Sequence, residues 1–281
     1  MLSWQVGRVK ITRIVEMDLP VPAQFMSGLT PEELRKMAWL YPHFVSADDS
    51  TLHLSVHALL VEAPGMRLVV DTCIGNDRPR EISGDVPLST PFLEYLREAG
   101  WARESVDAVI CTHLHVDHVG WNTMLEDGKW VPTFPLARYL IGRHEYEWML
   151  TVDDAEQQAM LGDSIRPVLE AGLMELVEQD QVISPEIRLM PSAGHTPGHV
   201  SVLIESEGQR AAITGDIAHH PCQIAHPDWA LGDHDPNLAV ATRARLFGDW
   251  ADQPMLVIGT HFAAPTAGRI VREGELLKFV V

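Results

Sequence analysis

The chain has 281 residues, 46% hydrophobic and 21% charged, the make-up of a globular protein long enough for a large core. Its 21 Lys and Arg against 39 Asp and Glu give a formal charge of −18. That surface repels phosphate backbones and anionic lipid, so neither nucleic acid nor a membrane is expected as a partner. No apolar run approaches spanning length, and Met1–Arg8 lack the charged start and apolar core of a leader peptide. Cys73, Cys111 and Cys222 are odd in number and far apart, which predicts a reducing, cytoplasmic setting rather than a disulfide framework.

Residues 4–18 alternate as an opening strand, and residues 19–27, with two prolines, read as a loop. Thr30-Pro31-Glu32-Glu33 is a helix start, with Thr30 as N-cap and Glu33 closing a capping box, and the helix is expected to reach Leu40. Residues 50–62 and 66–70 form two strands around the Pro64-Gly65 turn, ending in Asp71-Thr72. A helix from Thr90-Pro91 stops at Gly100, and the apolar run 106–111 is a buried strand. A strand over 137–141, a helix over 143–150 and a longer helix over 153–173 follow. Strands then return at 187–190, 200–204 and 211–214. Asp235-Pro236 caps a helix to about Trp250, and the last strands are 255–258, 268–271 and 276–281. Strand–helix–strand order in two halves, roughly 1–135 and 180–281, predicts one domain with two sheets and outer helices.

The chemistry concentrates at strand ends. Thr112-His113-Leu114-His115-Val116-Asp117-His118 follows the strand at 106–111, and side chains alternate in extended chain, so His113 and His115 point the same way. Three imidazoles and a carboxylate without cysteine suit a borderline divalent ion such as zinc. Gly194-His195-Thr196-Pro197-Gly198-His199 makes a stiff turn that holds His195 after the strand at 187–190. Asp216 follows the strand at 211–214, and His261 follows that at 255–258.

This set resembles the metallo-β-lactamase-fold hydrolases over roughly residues 50–281. The resemblance implies an α/β chain, an αββα sandwich of two mixed sheets with outer helices, as a single domain over 1–281. It implies one metal on His113, His115 and His195, a second on Asp117, His118 and His261, and Asp216 bridging both. The expected cofactors are two divalent ions, zinc first, with manganese, cobalt or iron as alternatives. Asp71 either orients a ligand imidazole or caps its loop, and His199 is expected as a packed structural histidine. The implied reaction is hydrolysis by metal-bound hydroxide, with Asp117 orienting it and shuttling its proton to the leaving group.

Departures inside the family narrow the substrate. β-Lactamases of this fold lack the bridging Asp216, oxygen-reducing diiron members carry Glu where His115 stands, and glyoxalase II and tRNase Z use basic patches this chain lacks. The runs 215–221 and 261–270 resemble the branch holding methyl parathion hydrolase, 4-pyridoxolactonase and acyl-homoserine lactone lactonases. Where those last enzymes place a Tyr three residues past the bridging Asp, this chain has His219, either a catalytic donor to an oxyanion or a histidine that supports a ligand or lies at the surface. Trp121, three residues past His118, and Phe262, directly after His261, are candidate pocket walls; Phe25 and Met26 come from an N-terminal segment, residues 1–48, expected to overhang the site. Core filling is the competing role for all four. The expected activity is opening of lactones or cleavage of carboxylic esters of small, largely neutral molecules. A phosphotriester or phosphodiester hydrolase, a mono-iron dioxygenase and a non-catalytic ligand-binding protein are the alternatives. Phe25, Met26, Trp39, Leu40 and Phe44, taken as exposed, would serve a homodimer contact.

Overall fold

A computed structural model of the protein describes residues 1–281. Gly7, at φ 55°, turns β1 (Ser3–Val6) back into β2 (Val9–Pro22), so the single opening strand expected at 4–18 is a hairpin. β2 runs on through the expected loop residues Leu19–Pro22; its prolines lie two apart, which puts both missing N–H groups on one edge. The helix start at Thr30 holds, with Thr30 Oγ1 accepting from Glu33 N at 3.2 Å. α1 (Pro31–Lys36) ends early, and a separate 3₁₀ turn covers Ala38–Leu40.

β3 (Thr51–Ala63), β4 (Met66–Val70), α2 (Phe92–Glu98) and β5 (Ala108–Cys111) follow as expected. β6 (Thr123–Glu126) and β7 (Lys129–Pro132) form an unanticipated hairpin around Asp127-Gly128, whose φ values of 49° and 76° are what a two-residue hairpin turn requires. β8 (Arg138–Gly142) leads into α3 (Arg143–Met149). The long helix expected over 153–173 is broken. α4 (Ala155–Met160) passes through a π-helical turn, Leu161–Ile165, into α5 (Arg166–Glu170). Pro167 has no N–H to give the preceding turn, and Gly162 weakens the same stretch. After it comes β9 (Met174–Val177), also missed. The rest is β10 (Ile187–Pro191), β11 (Val200–Ser206), β12 (Gln209–Ile213), α6 (Cys222–Ala225), α7 (Pro236–Trp250), β13 (Met255–Ile258), β14 (Ala267–Glu273) and β15 (Leu276–Val280).

The strands make a seven-stranded sheet, β1-β2-β3-β4-β5-β8-β9, a six-stranded sheet from β10 to β15 in order, and the small β6–β7 ribbon. Both large sheets are mixed: β4, β5, β8 and β9 pair in parallel in the first, β12 and β13 in the second. The chain is α/β in class. No helix is long and apolar enough to cross a membrane.

The chain clusters into two compact units, Met1–Glu16 with Val56–Gln179, and Met17–Ser55 with Asp180–Val281. In the first unit the loops after β4 and β5 are stitched by backbone hydrogen bonds: Thr72 N to His118 O, Gly120 N to Cys73 O and Trp121 N to Thr72 O, each 2.7 Å. Buried Glu16 holds the same region, accepting from Ile74 N (2.8 Å), Gly75 N (3.2 Å), Thr90 Oγ1 (3.2 Å) and Trp121 Nε1 (2.6 Å). Its burial raises the carboxyl pKa, and these donors pull against that rise.

The second unit packs Phe44, Phe262 and Phe279 edge to face, with Met26, Leu34, Met37 and Leu40 in the same core. The surface expected for Met26, Leu40 and Phe44 is therefore corrected. All three are buried in their own unit, and only Phe25 of the five is largely exposed, at 62%.

The stitched loops leave no room at Gly120, where an added Cβ would lie 1.8 Å from Ile74 O. Gly120→Ala is expected to lose about 1–3 kcal/mol of unfolding free energy in urea titration, the usual cost of overpacking. An unchanged midpoint would contradict the close approach.

Candidate metal centre

In the first unit β4 and β5 run parallel with Val70 opposite Ile110, so Asp71 and Thr112 leave the sheet side by side. Asp71 takes φ 56° and turns its carboxylate onto the neighbouring strand end. It accepts from Thr112 N (2.8 Å), Thr112 Oγ1 (2.9 Å) and His118 Nδ1 (3.0 Å). A carboxylate only accepts, so His118 carries its proton on Nδ1 and leaves Nε2 bare. Thr112 Oγ1 has given its hydrogen to Asp71, so it accepts from His113 Nδ1 at 3.1 Å, and His113 Nε2 is bare as well. That nitrogen stands 3.0 Å from His115 Nδ1. His118 Nε2 lies 3.8 Å from Asp117 Oδ1. Glu145, buried in the first turn of α3, accepts from Leu114 N at 3.0 Å and pins the residue between His113 and His115.

In the second unit β12 and β13 are parallel, with Ile213 opposite Ile258, and this brings Asp216 and His261 to one edge. Gly215, at φ 57°, permits the sharp exit from β12. Asp216 Oδ2 faces three imidazole nitrogens: His219 Nε2 at 3.2 Å, His261 Nε2 at 3.3 Å and His195 Nε2 at 3.5 Å. His261 Nδ1 donates to Ser55 O at 3.1 Å, so its Nε2 is bare and meets the carboxylate lone pair to lone pair. His199 stands behind Asp216. Asp216 N donates to His199 Nε2 (2.8 Å), His199 Nδ1 to Ser192 Oγ (2.8 Å), Ser192 Oγ to Ser201 Oγ (2.9 Å), and Ser201 Oγ to Thr214 O (2.8 Å). Burial holds the His219 pKa below the ordinary histidine range against the pull of Asp216, so its ring is neutral. With Nε2–H directed to Asp216, its buried Nδ1 is an acceptor without a hydrogen-bond partner in the protein.

The residues fit divalent cations. In the second unit the bare His261 Nε2 meets the Asp216 carboxylate at 3.3 Å, in the first the bare Nε2 atoms of His113 and His118 lie beside His115 and Asp117, and this N/O donor set suits zinc. The capping of Nδ1 on His113, His118 and His261 is the arrangement that orients ligating imidazoles.

The aromatic residues expected as pocket walls are engaged in packing. Trp121 stacks on Phe92 at 5.1 Å and donates to Glu16. Phe262 packs with Phe44 and Phe279, and Met26 meets Cys222, sulfur to sulfur, at 3.3 Å. Phe25 is exposed. Sequence reasoning missed Thr112, Glu145 and the Ser55 carbonyl. Thr112 was readable as the hydroxyl beside the first histidine, but a backbone carbonyl and a glutamate on a later helix leave no local signal.

The family profile of the metallo-beta-lactamase superfamily matches residues 53–261. The N-acyl homoserine lactonase AiiA of Bacillus thuringiensis subsp. kurstaki is 26% identical over 155 residues, 55% of this chain and 55% of that protein. An N-acyl homoserine lactonase of Bacillus sp. is 29% identical over 155 residues. The chain thus spans about half the length of the curated relatives it matches. Among solved structures, hydrolase AbOPH of the beta lactamase superfamily superposes with a TM-score of 0.81 at 23% identity, over 99% of this chain and 96% of that one. AidC, a dizinc quorum-quenching lactonase in complex with a product, gives a TM-score of 0.79 at 19% identity, over 99% and 96%. At such identities these structures establish the fold.

Removing the Asp71 carboxylate frees both His118 and Thr112. Asp71→Ala is expected to weaken metal binding roughly 10- to 100-fold in chelator competition. Wild-type affinity in the variant would show that Asp71 only closes its loop.

Proposed function

The chain belongs to the metallo-beta-lactamase superfamily, and from that premise we propose that it is a dinuclear-metal hydrolase of lactones or carboxylic esters. The observation that carries the reading is the grouping of metal-type ligands. His113, His115, His195 and Asp216 make one set able to hold an ion, and Asp117, His118 and His261 make a second. In this reading Asp216 is shared, the ions are zinc, and residues 1–281 work as a single domain. Two bound ions supply Lewis acidity and a water acidic enough to act as nucleophile near neutral pH.

This chain's own groups do the rest. Asp117, at the outer edge of its cluster and only partly buried, accepts the nucleophile's proton and returns it to the leaving oxygen. His219 works through its unpartnered Nδ1, which accepts a hydrogen bond from water or substrate; this replaces the oxyanion donor expected from sequence, because Nε2–H is committed to Asp216. The −18 formal charge disfavours anionic phosphodiesters and supports neutral substrates. The lactonase names of the curated relatives support ring opening within that class. The three cysteines are free and buried, which supports the cytoplasmic setting.

A substrate panel on one preparation tests the proposal: acid release from lactones and aryl esters against phenol release from aryl phosphates, with metal content measured alongside. Lactone or ester turnover is expected to dominate, to vanish with chelation and to return with zinc, cobalt or manganese. Turnover that survives complete metal removal, or that is confined to phosphoesters, would contradict it. His219→Ala is expected to lower kcat on the order of 10² with metal content unchanged. Unaltered kinetics would remove His219 from the reaction.

A further inference from the structure

α7 lies behind two of the ligand-bearing loops of the second unit. Toward the first, Thr242 Oγ1 donates to Ala193 O at 2.6 Å, and Gly194 approaches so closely that an added Cβ would sit 2.4 Å from Ala239 Cα. The residues entering the helix complete that clamp: His234 N donates to His195 O and Asp235 N to Gly194 O, both at 3.0 Å. Toward the second, Arg243 Nε donates to Ile217 O at 2.6 Å, one residue beyond Asp216.

Arg243 is fully buried, and a buried guanidinium needs a counter-charge and acceptors for its fork. Its Nη1 reaches Pro227 O at 3.1 Å, and its Nη2 lies 2.7 and 2.6 Å from the two oxygens of Asp233. The Asp233 side chain is itself without exposure. Its Oδ1 lies 3.5 Å from His195 Nδ1. Pairing with Arg243 alone would leave the direction of this carboxylate open. Here one of its oxygens lies nearest the ring nitrogen that must carry the proton if Nε2 is to face Asp216, 3.5 Å away and longer than a hydrogen bond.

We propose that Asp233, fixed by Arg243, is the positioning carboxylate of His195, and that Arg243 ties this histidine's loop to the loop bearing Asp216. Asp233 favours the Nδ1–H tautomer and leaves Nε2 as the ligating atom. Arg243 holds that carboxylate in place, and through Ile217 O the same side chain sets the exit of the Asp216 turn. A site whose ligands come from separate strand ends thereby gains one rigid brace on one helix. The inference rests on the reading of His195 as a ligand.

Two measurements on Asp233→Asn test it: the His195 tautomer by long-range ¹H–¹⁵N correlation in the metal-free protein, and zinc affinity by chelator competition. Wild type is expected to hold its proton on Nδ1. The variant is expected to gain the Nε2–H form and to bind zinc roughly 10- to 100-fold more weakly, with an altered d–d spectrum in the cobalt-loaded protein. A lower melting temperature with unchanged tautomer and zinc affinity would reduce the pair to a structural ion pair and overturn the proposal. A wild type that takes up no zinc would overturn the hydrolase reading instead, and the tautomer comparison would still decide the role of Asp233. Should Asp233→Asn fail to fold, Asp233→Glu carries the same comparison, since it keeps the charge facing Arg243 but moves the oxygen relative to His195.

Discussion

A neutral imidazole has one N–H and one bare nitrogen, and this molecule's chemistry depends on occupying the N–H elsewhere. His118 gives it to Asp71, His113 to Thr112, and His261 to the Ser55 carbonyl. Each of these partners is backbone or a buried side chain, so the ring is both turned and held in one tautomer before any ion arrives. His261 Nε2 is then left facing the Asp216 carboxylate at 3.3 Å, an arrangement with a cost that a cation would relieve. Pre-organisation of that kind costs stability in the empty protein and returns it as affinity.

Parallel strand pairing is what delivers the groups. β4 beside β5, and β12 beside β13, end on the same edge of their sheets, so residues remote in sequence emerge together: Asp71 with Thr112, and Asp216 with His261. Such strands are buried on both faces and read as apolar runs, which keeps polar chemistry at their ends. Backbone stitching by Thr72, Gly120 and Trp121 and the carboxylate of Glu16 lock the loops that carry it.

Much of this was legible in the chain. The His-rich heptad at 112–118, the stiff turn around His195 and the carboxylate after β12 are local patterns, and the strands that carry them are short apolar runs that end abruptly. What failed were a helix interrupted by its own proline and glycine and features decided by distant partners. The helix at 153–173 breaks around Pro167 into a π turn, and β9 has too little alternation to announce itself. Met26, Leu40 and Phe44 look like an exposed apolar segment until the second unit's core receives them. Asp233 and Arg243 carry no motif at all, because what joins them to His195 is a contact made in the fold, Asp233 beside the ring and Arg243 behind Asp233. The histidines and carboxylates can be read from spacing, and so can Asp71 and Thr112 beside them, but Glu145, the Ser55 carbonyl and Asp233 are visible only once the chain is folded.

The proposal depends on two divalent ions being held by the histidines and carboxylates that follow β5, β10, β12 and β13. Anomalous diffraction from zinc-loaded crystals, recorded on both sides of the zinc edge, tests it most directly. Two strong peaks per chain are expected, one among His113, His115 and His195, the other among Asp117, His118 and His261, with Asp216 between them. A single peak elsewhere, or none at full zinc loading, would contradict it.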